Sequence, residues 1–86
     1  MSTDWYVYIV KCADDTLYTG ITTDLTRRIE EHNHNNKLGS RYTKTRRPVV
    51  LVYSERHTNR SLASVRENEI KKMPRIKKEA LISETM

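Results

Sequence analysis

Arg28 and His32 stand four residues apart on a segment that reads as a helix, beside the apolar pair Leu25 and Ile29. Residues at that spacing share one side of a helix. A guanidinium offers a planar fork of donors, and an imidazole gives or takes a proton near neutral pH. Together they suit a phosphate group, whereas a solvated helix face is the commoner fate of such a pair. Arg27, one residue away, should point elsewhere. A single acid, Glu67, falls beside Ala63 and Ile70 at the margin of another apolar stripe. A carboxylate there is either idle or a hard oxygen ligand of the kind Mg²⁺ takes. The chain has five tyrosines and no phenylalanine, so either some phenolic hydroxyls are wanted or these are ordinary strand tyrosines with wet tips, the commoner case. Gly20 interrupts a strand pattern directly after Tyr18-Thr19, and glycine there often marks close approach by another group.

The elements that position these residues follow from the apolar pattern. Trp5-Tyr6-Val7-Tyr8-Ile9-Val10 is a strand apolar on both faces, which needs a layer packed on each side. Ala13-Asp14-Asp15 is turn chemistry, and Thr16 to Ile21 forms a second strand. A helix runs from about Asp24 to Asn33, capped by Thr23 or Asp24. A long basic loop from Lys37 to Arg47 carries Lys37, Arg41, Lys44, Arg46 and Arg47. A third strand, Val49 to Tyr53, begins after Pro48. Helices follow from about Arg60 to Met73, with Leu62, Val65 and Met73 as the apolar stripe flanked by Ala63 and Ile70, and from Pro74 to about Ile82. Glu69 falls inside that stripe, against the assignment. The order strand, strand, helix, strand, helix, helix predicts an α+β domain with a small sheet.

Composition sets the limits. With 86 residues there is room for one domain, spanning 1–86, with a small core. The formal net charge of +5 fits a polyanionic partner and a solvated surface about equally, and the basic loop with Tyr42 is either a nucleic-acid backbone site with one aromatic for stacking or a solvated loop around Pro48. No apolar run is long enough to span a membrane, no signal core is evident, and the lone Cys12 favours a reducing compartment, so a cytoplasmic location is expected. Cys12, His32, His34 and His57 lack the paired spacing of a zinc site.

Tyr6-Val7-Tyr8, Tyr18-Thr19-Gly20, Arg28-Ile29-Glu30-Glu31-His32 and Glu67, in that order, resemble the GIY-YIG endonuclease superfamily, from Trp5 to about Ile82. Leu17-Tyr18-Thr19-Gly20-Ile21-Thr22, Arg41-Tyr42-Thr43, Arg46-Arg47-Pro48-Val49 and Glu67-x-x-Ile70-Lys71 are similar to its small, stand-alone bacterial branch. Tyr6 and Thr19 replace the glycine and middle isoleucine of the name motifs, and the tyrosines are kept. The resemblance implies a three-stranded antiparallel sheet flanked by helices. It also implies a metal-dependent endonuclease acting on DNA or RNA, with low sequence specificity, in repair or processing. By resemblance, Tyr8 and Tyr18 line the site with Arg28, His32 and Glu67. Tyr8 or Tyr18 is the general base, and Glu67 holds a single Mg²⁺ or Mn²⁺. Arg28 neutralises the phosphate, His32 orients or relays a tyrosine proton, and Thr22 touches phosphate. The alternative is a nucleic-acid-binding accessory module that cleaves little or not at all.

Two demands follow. A tyrosine base, with a reference pKa of ~10, needs Arg28, the metal and His32 to favour the phenolate. For Tyr8 and Tyr18 to share a face of the hairpin, the turn must hold an odd number of residues or a bulge. A three-residue loop, Ala13-Asp14-Asp15, satisfies this by pairing Cys12 with Thr16, whereas a two-residue turn would split the tyrosines.

Overall fold

The computed structural model describes residues 3–84. β1 (Trp5–Lys11) lies between β2 (Leu17–Thr22) and β3 (Val50–His57), and both pairings are antiparallel. Because β1 is central and covered on both sides, Val7, Tyr8, Ile9 and Val10 are all buried. α1 (Leu25–His34) and a single turn, α2 (Arg41–Lys44), serve one face of the sheet. α3 (Arg60–Lys71) and α4 (Arg75–Glu84) serve the other. The first core holds Tyr8, Val10, Cys12 and Val49, with Tyr18, Leu25, Ile29 and Tyr42 against it. The second holds Val7, Ile9, Tyr53, Ala63 and Ile70.

The hairpin uses the three-residue loop. Cys12 N–H donates to the Thr16 carbonyl at 2.8 Å, and Asp15 N–H returns to the Cys12 carbonyl at 2.9 Å. Asp15 sits at φ 70, the left-handed turn residue that lets three residues close a hairpin. Asp14 Oδ1 accepts from the Thr16 hydroxyl at 2.6 Å and holds the turn. The register then sets Tyr8 opposite Gly20 and Val10 opposite Tyr18. Both tyrosines therefore stand on the α1–α2 face.

Three expectations about elements change. The basic segment is not a continuous loop: Ser40 Oγ accepts from Tyr42 N–H and caps a turn of helix, α2, whose Thr43 is fully buried. β3 continues to His57 rather than ending at Tyr53, because the polar residues at its end have partners on the sheet and on α3. Glu55 accepts from Tyr53 Oη at 2.6 Å and from Arg66 Nε at 2.8 Å. The buried line of α3 runs through Ala63 and Ile70, with Glu67 between them, while Leu62 and Val65 are 51% and 61% exposed. That rotation removes the conflict over Glu69, which lies outward.

Candidate active site

Tyr8 is the centre of the site. Its backbone lies in the middle strand, and its ring crosses Gly20 on β2. A Cβ at Gly20 would lie 2.5 Å from Tyr8 Oη and 2.7 Å from Cζ, so only glycine leaves room for the ring. The glycine in the strand pattern thus marks the approach of Tyr8. Tyr8 Oη then meets His32 Nε2 at 2.7 Å in a fully buried hydrogen bond. His32 reaches it from α1, which Asp24 caps by accepting from Arg27 N–H at 3.0 Å. The other ring nitrogen of His32, Nδ1, is 2.9 Å from Thr43 Oγ1 on α2.

Arg28 lies one helical turn before His32 and is part-buried. Its NH1 donates to Glu31 at 2.9 Å and to the Leu38 carbonyl at 2.6 Å, and its guanidinium also acts on the Tyr8 phenol. Arg27 points outward and pairs loosely with Glu31 at 3.6 Å, as the helix spacing requires. Tyr18 packs edge-on against His32, with ring centroids 5.5 Å apart. On its far side it stacks on Tyr42 at 5.7 Å, and Tyr42 in turn carries the Arg46 guanidinium 3.9 Å from its ring centre. Glu67 comes from the opposite layer. Its side chain is 18% exposed and pairs with Lys71 at 3.4 Å, and its charge is felt at the Tyr8 phenol.

Burial dominates the proton affinities. It pushes the Tyr8 phenol up to about 12, against the opposing pull of Arg28. It pushes the His32 imidazole down to about 4, and the Arg28 charge works in the same direction. The resting pair is a neutral phenol beside a neutral imidazole. Arg28 pulls toward the phenolate as the sequence reading asks, but burial outweighs it and the phenol keeps its proton at rest.

The basic residues divide by what they already hold. Arg47 Nε donates to the His32 carbonyl at 2.6 Å, and its NH2 donates to the Asn35 carbonyl at 2.9 Å. Its NH1 reaches Asn36 Oδ1 at 3.0 Å. The side chain closes the C-terminus of α1, where carbonyls lack helical partners. Arg46 pairs with Asp14 at 3.0 Å and donates to the Tyr42 carbonyl at 2.8 Å. Buried Thr22 accepts from Asp24 N–H at 3.2 Å and braces the entry to α1. Arg41 is exposed and Lys44 half-buried.

Thr43 and Asn33 were not singled out for the site. Asn33 Oδ1 accepts from Val49 N–H at 2.7 Å, and its Nδ2 donates to the Val49 carbonyl at 3.0 Å, tying α1 to the start of β3. The available signal was position: each is a small polar residue beside one already suspected. Among the described residues, no group of three or more His, Cys, Asp or Glu could hold a metal ion by itself.

A family model, the GIY-YIG catalytic domain, matches residues 4–79, and the chain belongs to that family, an endonuclease superfamily. Its relatives include UPF0213 proteins. The chain is 58% identical over 78 residues to a UPF0213 protein of Desulfotalea psychrophila, covering 91% of this chain and 70% of the relative. It is 49% identical over 84 residues to one of Natronomonas pharaonis, covering 98% and 96%. The solution NMR structure of a UPF0213 protein from Bacillus halodurans matches with a TM-score of 0.59 at 41% identity, over 93% of this chain and 83% of that one. The antiparallel sheet with flanking helices is the fold expected of a GIY-YIG domain.

Proposed function

We propose that this protein is a cytoplasmic, divalent-metal-dependent endonuclease. It hydrolyses phosphodiester bonds in DNA with little sequence preference, in repair or processing. The observation that supports this most is the buried Tyr8–His32 hydrogen bond, with Arg28 acting on the same phenol and Glu67 near enough to bias it. A core tyrosine needs no such company, and a binding module has little use for a carboxylate beside a phosphate.

The resting proton affinities shape the step. Tyr8 serves as a relaying base rather than a standing phenolate. As a water attacks phosphorus, its proton passes to Tyr8 Oη, and Tyr8's own proton passes to His32 Nε2. The water oxygen bonds to phosphorus, the P–O ester bond breaks, the leaving oxygen takes a proton from solvent, and His32 gives its extra proton back to solvent to reset the pair. Arg28 offsets the phosphate charge. Tyr18 lines the site and packs His32 in place.

One half-buried carboxylate suits a hard octahedral ion that keeps several waters and takes its remaining ligands from a substrate phosphate. Glu67 is the residue that would hold Mg²⁺ or Mn²⁺, and the ion would supply charge neutralisation at the phosphate and the leaving oxygen. Exposed Arg41, half-buried Lys44 and the Tyr42–Arg46 stack extend the surface along which a nucleic-acid backbone would lie. Thr22 and Arg47 act on that surface by holding the ends of α1.

The test is cleavage of several DNA and RNA forms in Mg²⁺ or Mn²⁺ by wild type and Glu67→Ala, with binding measured alongside. Loss of cleavage with affinity kept is expected. Equal cleavage by both proteins would refute the site. Binding without cleavage by wild type would select the accessory module instead.

A further inference from the structure

Thr43 has no assigned part in the chemistry above, yet it is fully buried and touches His32 on the side away from Tyr8. Its hydroxyl lies 2.9 Å from His32 Nδ1 and 3.1 Å from the Ser40 carbonyl. The Ser40 carbonyl accepts from Lys44 N–H at 3.0 Å and has a second lone pair that can take the single Thr43 proton. The Thr43 oxygen is then left to accept from Nδ1–H. A neutral imidazole carries one proton, so Nε2 is bare and accepts from Tyr8 Oη–H. We infer that Thr43 is a positioning residue that sets the tautomer of His32, and so fixes the direction in which Tyr8 gives up its proton. The inference rests on the proposed nuclease reading for its use, but not for its geometry.

One neighbour favours the opposite setting. Ser40 N–H is directed at Nδ1 in a long, 3.4 Å hydrogen bond that needs that nitrogen bare. It is the longer contact and loses to Thr43 at 2.9 Å. The same contact indicates what should happen when the Thr43 hydroxyl is removed. Ser40 N–H would become the polar neighbour of Nδ1, the ring proton would move to Nε2, and Nε2–H would point at Tyr8 Oη. The water-to-Tyr8-to-His32 relay would then have no acceptor at its end. The charged and titratable groups acting on this ring are Arg28, Glu31 and Arg47, with Tyr8 and Tyr18 in contact, and Thr43→Val alters none of them.

The experiment is ¹⁵N–¹H correlation of the imidazole rings in protein labelled at histidine, recorded near pH 7.5 on the free protein. Wild type is expected to show His32 protonated on Nδ1, Thr43→Val to shift toward Nε2, and Thr43→Ser to match wild type. In cleavage assays Thr43→Val should lose about tenfold to a hundredfold in kcat with nucleic-acid affinity kept, and Thr43→Ser should recover most of it. A wild-type ring protonated on Nε2 overturns the inference, whatever becomes of the variants. So does a Thr43→Val protein that folds and keeps the wild-type tautomer. Because the tautomer is read without substrate, absence of cleavage would count against the nuclease reading alone.

Discussion

Gly20→Ala adds one methyl group, and the structure indicates where it would go. The new Cβ would sit 2.5 Å from Tyr8 Oη, and ordinary contact begins at 3.4 Å, so the phenol tip must move by about 0.9 Å, the difference of the two. Tyr8 is 1% exposed, so the ring has little space to move into. Overpacking a tight core costs ~1–3 kcal/mol. Pulling Oη from His32 leaves two buried polar groups poorly paired, at ~1–3 kcal/mol more. A total of roughly 2–6 kcal/mol is expected, and in a domain this small each kcal/mol lowers Tm by ~4–8 °C. A shift of that size in a reacting group can also cost about a hundredfold in rate. The assay pairs thermal and urea unfolding with single-turnover cleavage, measured well below the variant's Tm. A Gly20→Ala protein within ~0.5 kcal/mol of wild type and cleaving at the same rate would refute the claim that Tyr8 crosses Gly20 to reach His32.

Two further outcomes follow from the same geometry. His32 is held neutral, its pKa down to about 4 from an ordinary 6.5, so the unfolded chain binds its proton first as pH falls. The stabilisation is present above pH 6.5 and is lost between about 6.5 and 4, amounting to about 3 kcal/mol. Urea unfolding at pH 7, 6 and 5 should show the decline in wild type and a flatter profile in His32→Gln. Arg47→Ala removes three hydrogen bonds from the end of α1 and should cost about 2–4 kcal/mol by urea unfolding, with Arg47→Lys recovering less than half because an ammonium lacks the planar fork.

Much of this arrangement is readable from residue types. A strand apolar on both faces requires two covering layers, and Trp5 to Val10 has them. The need to put Tyr8 and Tyr18 on one face predicts the three-residue hairpin loop, and the register agrees. Arg28 and His32 come together by helix period alone. The failures over the basic segment and Arg47 share one cause, which is that polar contacts between distant segments leave no periodic trace. The basic segment contains a helical turn because Ser40 caps it and because Thr43 is held under His32. Arg47 looks like a free cation in sequence, but it closes α1 from fifteen residues away. On α3, Leu62 and Val65 outweigh Ala63 by hydrophobicity, yet the close approach of helix to sheet selects the small residue. Turning that face inward also leaves Glu67 half-buried between Ala63 and Ile70.

The central claim is that the Tyr8 hydroxyl, held by His32, handles the proton of the attacking water. Tyr8→Phe removes that one oxygen and Tyr18→Phe removes its counterpart across the hairpin. Single-turnover cleavage with both variants, at matched nucleic-acid saturation, tests the claim most directly. The account predicts a loss of about a hundredfold or more for Tyr8→Phe and less than about tenfold for Tyr18→Phe, with binding kept in both. Full activity in Tyr8→Phe, or loss confined to Tyr18→Phe, would contradict it.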